Sequence, residues 1–123
     1  MLKKVLLLIC MLFLPVYAGV FEDALEQNDN VFLYIYTTDC GTCTQFMPKY
    51  EKLKKLYGKN YGFVKVDANE PYGSILMSTL YGKYVPFVVL VSAKHRIAAH
   101  IDPSCLMDNI CVEKALKDFQ NQK

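Results

Sequence analysis

The fold of this chain is decided at residues 31–43, which read Val31-Phe32-Leu33-Tyr34-Ile35-Tyr36-Thr37-Thr38-Asp39-Cys40-Gly41-Thr42-Cys43. The first six residues are apolar and β-prone, which is typical of a central strand covered on both faces. After Cys43, apolar side chains recur at helical spacing, so the two cysteines lie at a strand-to-helix junction. A helix N-terminus offers unpaired N–H groups and the positive end of the macrodipole, so a cysteine there ionises more readily than a free cysteine.

This position predicts thiol–disulfide exchange. Cysteines separated by two residues at the first helical turn can close on each other, so a mixed disulfide with another protein can be resolved internally. An inert stapling disulfide between Cys40 and Cys43 is the alternative, and the activating position at the helix start argues against it.

Residues 1–18 have the organisation of a secretory signal. Lys3 and Lys4 precede an apolar run, and Val16-Tyr17-Ala18 supplies the small-residue spacing that signal peptidase requires. The run is shorter than the roughly 20 apolar residues that span a membrane, so a retained anchor is the less favoured alternative. We expect a signal peptide over 1–18, one domain over 19–123, cleavage near Ala18, no stable membrane insertion, and a periplasmic or secreted product.

The charge of the expected mature chain is balanced. The full sequence has 14 basic and 12 acidic residues, and the leader contains two of the lysines and no acid, which leaves 12 of each. A neutral domain with its lysines spread among acids gives no electrostatic reason to expect nucleic acid or an anionic lipid surface as a partner. Export also implies an oxidising compartment, where the four cysteines outside the leader could form two disulfides.

The rest of the pattern predicts alternating helices and strands. We expect helices over 21–28, 43–57, 71–80 and 109–120, and strands over 31–36, 61–67, 86–91 and 96–101. Asp102-Pro103-Ser104 is expected to break the chain before the last helix. This order fits an α/β fold with a mixed central sheet of about four strands, in which crossover helices join parallel strands and a hairpin adds an antiparallel edge.

With these elements in place, the chain resembles the thioredoxin-fold family of exported thiol–disulfide oxidoreductases, from about Phe21 to Phe119. Pro48 stands five residues after Cys43, where the family kinks its active-site helix, and Val66-Asp67 ends the following strand as the family pattern does. Val85-Pro86 matches the family's cis-proline, which lies against the dithiol and presents backbone to an extended substrate.

The resemblance implies a role for each matching residue. Cys40 would be the exposed nucleophile and Cys43 the more buried resolving cysteine, with Gly41 and Thr42 between them in support. The backbone of Val85 would pair with the substrate strand, and Pro86 would shape the groove that binds this strand. The implied partners are proteins with thiols or disulfides and a membrane redox protein, and no organic cofactor or metal is implied.

Three departures from the family pattern matter. Tyr34 takes the place of a buried aspartate, so the family's proton relay is absent or rebuilt. Asp39 adds negative charge beside Cys40, whereas the Thr42 hydroxyl could hydrogen-bond a thiolate, and the sequence does not rank the two effects. Too few residues lie between Gly19 and Val31 for the first strand of full thioredoxins, and in this the chain resembles the trimmed thioredoxin-like domains of bacterial envelope proteins.

Cys105 and Cys111 form a second candidate pair. We favour a structural disulfide that pins the last helix, since small exported domains often use such links. A second redox pair that exchanges with Cys40 and Cys43, or a four-cysteine zinc site, are the alternatives.

The function expected from the sequence is therefore that of an exported oxidoreductase for protein disulfides, with the reducing or isomerising direction favoured. The alternative is a thioredoxin-fold binding or chaperone module that captures a client, such as an apocytochrome or a metal ion, without net redox turnover.

Overall fold

The computed structural model describes residues 19–122. The expected signal peptide over 1–18, with its cleavage position near Ala18, lies outside the described residues. The elements in chain order are α1 (Val20–Gln27), β1 (Val31–Tyr36), α2 (Gly41–Tyr57), β2 (Gly62–Asp67), α3 (Pro71–Thr79), β3 (Phe87–Ser92), β4 (Ile97–Ile101), α4 (Pro103–Leu106) and α5 (Asn109–Asn121). The predicted elements are all present, and α4 is an addition.

The four strands form one mixed sheet in the order β2-β1-β3-β4. Strand β1 pairs in parallel with β2, from Val31 opposite Gly62 to Tyr36 opposite Asp67. Strand β3 runs antiparallel to both β1 and β4. The mixed four-stranded sheet is confirmed.

One detail of the predicted topology is wrong. Helix α2 joins parallel strands as expected, but α3 leads from β2 into a strand of the opposite direction. The run at Phe87–Ser92 is apolar on both faces, and such a run predicts a buried strand without indicating its direction.

The sheet has a hydrophobic core on each face. Phe32 and Tyr34 point toward the core that contains α2 and α5, while Val31, Leu33 and Ile35 point toward the core that contains α1 and α3. This alternation follows from the two-residue period of a strand. Because both faces are covered, β1 is apolar along its length.

Helix α2 begins at the cysteines and packs against the first of these cores. It is capped by Cys40, contains Pro48, and is followed by Gly58 at its C-terminal cap. Proline lacks the N–H that would bond to the carbonyl four residues earlier, so Pro48 interrupts the hydrogen-bond ladder just beyond the cysteines. Leu56 is apolar but 57% exposed, because the buried stripe of the helix runs through Leu53 and Tyr57.

The chain before β1 contains a single element. Between Gly19 and Val31 the described residues form only α1, so this part of the chain lacks the first strand of full thioredoxins, as expected. Across residues 19–122, no helix is both long and apolar enough to cross a membrane.

Candidate active site

Cys40 and Cys43 are joined by a disulfide at the start of α2, with their Cα atoms 5.2 Å apart. Cys40 is the N-cap residue, and its sulfur accepts a hydrogen bond from the backbone N–H of Cys43 at 3.0 Å. The same N–H would stabilise a thiolate on Cys40 once the disulfide is reduced. The predicted placement of the dithiol at a strand-to-helix junction is confirmed.

The two sulfurs differ in their access to solvent. Cys43 is only 2% exposed, whereas Cys40 is partly exposed and is followed by the exposed residues Gly41 and Thr42. A substrate can therefore reach Cys40 more readily than Cys43. The hydroxyl that bonds near Cys40 belongs to Thr44, which donates to the Cys40 carbonyl oxygen at 3.1 Å, rather than to Thr42.

Tyr34 lies beneath the dithiol. It is fully buried, and its hydroxyl donates to the Cys43 carbonyl oxygen at 3.1 Å. Burial, with a smaller contribution from Tyr36, raises the pKa of Tyr34 to about 12, so the phenol is a neutral donor at physiological pH. The buried polar residues within 19–122 are Asn30 and Ser92. The described core therefore contains no buried carboxylate that could relay a proton.

Val85 and Pro86 lie at the same end of the sheet as the dithiol. The Val85–Pro86 peptide bond is cis, as the family resemblance implies, and Pro86 is buried while Val85 is partly exposed. The next residue, Phe87, pairs with Ile35 of β1. Because the strands are antiparallel, Pro86 falls beside Tyr36 at the end of β1, which leads directly to Cys40.

A hollow of about 230 Å³ opens beside Cys43. Its walls are residues of the junction and of the first turns of α2, namely Tyr36, Thr37, Thr38, Cys43, Thr44 and Met47. The sequence did not single out Tyr36 or Met47 as site residues. Their positions in the sequence could have indicated them, because Tyr36 ends the strand before the dithiol and Met47 follows Cys43 by one helical turn.

The second disulfide joins Cys105 of α4 to Cys111 in the first turn of α5, with Cα atoms 5.2 Å apart. Cys105 is partly buried and Cys111 is exposed. The Lys49 ammonium of α2 donates to the Met107 carbonyl oxygen at 2.7 Å and to Asn109 Oδ1 at 3.3 Å. Both acceptors lie between the two cysteines, so this loop contacts the helix that carries the dithiol.

Each cysteine pair forms its own disulfide, Cys40 with Cys43 and Cys105 with Cys111. Within residues 19–122, no group of three or more His, Cys, Asp or Glu side chains has the placement to hold a metal ion. The described residues therefore do not form the four-cysteine zinc site considered for the sequence.

The sequence profile of the Thioredoxin family matches residues 13–101, which include the strand-to-helix junction, both cysteines of the dithiol and the Val85–Pro86 bond. The chain belongs to the thioredoxin family. The cysteines at 40 and 43 thus stand where members of this thiol–disulfide oxidoreductase family carry their redox pair. Tyr34 stands six residues before Cys40, at the position where the resemblance to the family implies a buried aspartate.

Two kinds of relative agree with this assignment. A protein disulfide-isomerase of Hordeum vulgare is 34% identical over 74 residues, which are 58% of this chain and only 14% of that protein. The solved structure of oxidised mitochondrial thioredoxin 3 of Saccharomyces cerevisiae superposes with a TM-score of 0.62 at 27% identity, covering 80% of this chain and 86% of that one. Oxidised thioredoxin of Plasmodium falciparum, with a TM-score of 0.58 at 23% identity over 77% of this chain and 89% of that one, shows the shared fold.

Proposed function

We propose that this protein is an exported thiol–disulfide oxidoreductase that acts on protein disulfides through Cys40 and Cys43. The observation that carries the proposal is the unequal placement of the two sulfurs. Cys40 is reachable and receives a helix N–H, while Cys43 is buried behind it at the same helix start. This arrangement suits a nucleophile and a resolving thiol.

In the reducing direction, the reaction transfers two electrons from the dithiol to the substrate. The Cys40 thiolate attacks one sulfur of a substrate disulfide, forming a mixed disulfide and releasing the other substrate sulfur as a thiolate. The Cys43 thiol then loses its proton and attacks the Cys40 sulfur. This second step releases the reduced substrate and leaves the Cys40–Cys43 disulfide, which is the state of the structure.

We favour the reducing or isomerising direction, and its partners follow from the electron balance. Each reducing cycle leaves the dithiol oxidised, so a redox partner must return two electrons, and for an exported protein we propose a partner in the membrane. The likeness to a protein disulfide-isomerase and to thioredoxins supports this direction. The signal pattern of residues 1–18 supports a periplasmic or secreted location.

The substrate segment would lie between Val85 and the exposed side of Cys40. An extended segment can pair with the Val85 backbone, as in strand addition to a sheet edge, and Pro86 limits how closely it approaches. The hollow beside Cys43 offers room for an apolar side chain next to the substrate cysteine. The Cys105–Cys111 disulfide would be structural, because it ties α4 to the start of α5.

Replacing the resolving cysteine tests the proposal. The C43S variant is mixed with disulfide-bonded proteins and examined by non-reducing electrophoresis and mass spectrometry. We expect mixed disulfides through Cys40 that dithiothreitol releases, and none with the matched double variant C40S/C43S. Wild-type protein that reduces no disulfide, together with a C43S variant that traps none, would contradict the proposal and favour a binding or chaperone module.

The reduction potential of the Cys40–Cys43 pair tests the direction. Equilibration in glutathione and dithiothreitol buffers should give a value nearer about −270 mV, as for thioredoxin-like reductants, than about −120 mV, as for strong oxidants. A value near the oxidant end would mean that the protein forms disulfides in its substrates.

A further inference from the structure

The start of α1 is held by a small polar cluster that spans two helices. The backbone N–H of Gly19 donates to Glu22 Oε2 at 3.1 Å. The hydroxyl of Tyr72, on α3, donates to the same carboxylate oxygen and accepts from the Phe21 N–H at 3.1 Å. The cluster therefore contains a tertiary contact as well as one half of a capping box, in which the Glu22 side chain bonds the N–H of the N-cap residue Gly19.

Gly19 fits closely against Tyr72. A Cβ atom at position 19 would overlap the end of the Tyr72 ring, including its hydroxyl. The Gly19 backbone has an extended conformation open to any residue, so the close approach is what favours glycine there. Two residues later, the buried Phe21 anchors α1 in the core. The Tyr72 ring and the buried Phe21 thus fix the start of α1, with the Gly19 nitrogen beside the Glu22 carboxylate.

The Glu22 carboxylate has donors but no cation. It is partly buried, and the ion pair found within residues 19–122 is that of Lys65 with Glu51, not one at Glu22. Burial first, and then the hydrogen bond to Glu22, raise the pKa of Tyr72 to about 12, so its hydroxyl stays protonated. A carboxylate held this way is suited to a positive charge at the Gly19 nitrogen.

Cleavage of the leader would place such a charge there. A signal peptidase hydrolyses the Ala18–Gly19 peptide bond with one water molecule, leaving a carboxylate on Ala18 and an α-ammonium on Gly19. The neutral N–H that now faces Glu22 would become a charged donor at the same atom. Charge-assisted hydrogen bonds are about twice as strong as neutral ones.

We propose that Glu22 and Tyr72 form a receptor for the new N-terminal ammonium of Gly19, so that removal of the leader adds an ion pair at the start of α1 beside the hydrogen bonds by which Tyr72 holds that start against α3. This inference rests on the export part of the proposed function and not on its redox part. A positive charge at a helix N-terminus opposes the macrodipole. The processed chain should therefore depend on Glu22 more strongly than an unprocessed one.

Two proteins of equal net charge test the receptor. One begins at Gly19 and the other at Ala18, so the ammonium of the second is displaced by one residue. Both contain the described residues 19–122, which hold both cores of the sheet, and so both should fold. Each is also made with E22Q, and the four unfolding equilibria are measured in urea.

We expect the protein that begins at Gly19 to have an unfolding equilibrium constant about three- to tenfold lower than the one that begins at Ala18. E22Q should abolish this difference. Equal stability of the two unsubstituted proteins, or a difference that E22Q leaves unchanged, would overturn the receptor.

The N-terminus of the exported protein is determined separately by intact mass. A mature chain that begins at Gly19 is expected, and any other N-terminus overturns the inference even when the stability result holds. A failure of the disulfide-trapping experiment with C43S would leave both of these results unaffected. The two proposals can thus fail independently.

Discussion

Tyr34 changes how the buried sulfur of the dithiol can lose its proton. Its hydroxyl, 3.1 Å from the Cys43 carbonyl oxygen, is a donor whose pKa of about 12 keeps it neutral. It therefore cannot accept the Cys43 proton at neutral pH, as a carboxylate could. Cys43 instead borders the hollow that Thr37 and Thr38 also line. We expect the proton to leave through the part of this hollow that a bound substrate side chain leaves open to solvent.

Replacing Tyr34 with phenylalanine should separate stability from turnover. The variant loses one buried hydrogen bond, which we expect to lower the free energy of unfolding by about 1 kcal/mol. Turnover should change by no more than a few fold, because the lost hydroxyl is not the proton acceptor. Urea unfolding and single-turnover reduction of a protein disulfide check the two effects.

Tyr61 provides the matched control for this experiment. Its buried hydroxyl donates to the Leu116 carbonyl oxygen at 2.7 Å, in the same core as Tyr34 but on a contact with α5 rather than with the dithiol. Y61F should therefore cost similar stability and leave turnover unchanged. A large loss of turnover in Y34F alone would show that the phenol takes part in proton transfer.

The sequence alone predicts those residues of the candidate site whose positions are set by local pattern. Cys40 and Cys43 follow directly from the strand before them and the helix after them. The contacts of Glu22 with Tyr72 and of Lys49 with Met107 join residues 50 and 58 positions apart. No local pattern in this chain pairs such residues, so these contacts could be found only in the folded structure.

At the scale of the element, predictability follows length and burial. The sequence predicts strand β1 at its observed bounds. Both faces of the strand are covered, so its residues are apolar throughout and the pattern is unambiguous. The sequence predicts a chain break where the structure has the four-residue helix α4, because so short a helix shows no helical period. Its cap was nevertheless present in the sequence, because Asp102 accepts the Ser104 N–H and Pro103 occupies the first turn.

The contact between α2 and the Cys105–Cys111 loop gives a second prediction. Removing the disulfide with C105A/C111A should lower the free energy of unfolding by about 2 kcal/mol, because the disulfide no longer restrains the unfolded chain. K49M should also be destabilising, since Lys49 no longer bonds Met107 and Asn109. In the variant without the disulfide, K49M should cost less, because the loop no longer holds its acceptors in place.

A double-mutant cycle in urea measures this coupling. K54M, at an exposed position of the same helix, is the matched control and should show no coupling to the disulfide. Strictly additive effects of K49M and C105A/C111A would mean that the loop keeps its shape without the covalent link.

At the scale of the whole molecule, one core is unusually rich in tyrosine. Tyr34, Tyr50 and Tyr61 are each nearly fully buried between the sheet and the helices α2 and α5. Burial is the largest cause that raises the pKa of each phenol above its ordinary value. In the unfolded chain the same phenols titrate near about pH 10.

This difference predicts a loss of stability in alkali. The raised pKa values mean that the folded state keeps its phenolic protons when the unfolded state has begun to lose them. The contribution is fully present below about pH 10 and falls as the pH rises toward the folded-state pKa values. Urea midpoints measured between pH 8 and pH 11.5 should therefore drop steeply above pH 10, and less steeply in Y61F. A midpoint that stays level from pH 9 to pH 11 would contradict the assignment of these phenols to a dry core.

The two disulfides that the structure describes within residues 19–122 join cysteines only three and six positions apart. Bridges this short restrain only a local segment of the unfolded chain, and neither links the two sides of the sheet. The scaffold is instead held by packing on both faces of β1. Opening the Cys40–Cys43 bridge should therefore leave the shape of the molecule almost unchanged. A thiol–disulfide oxidoreductase built in this way would reorganise little on electron transfer, and it would present nearly the same surface to its redox partners in either oxidation state.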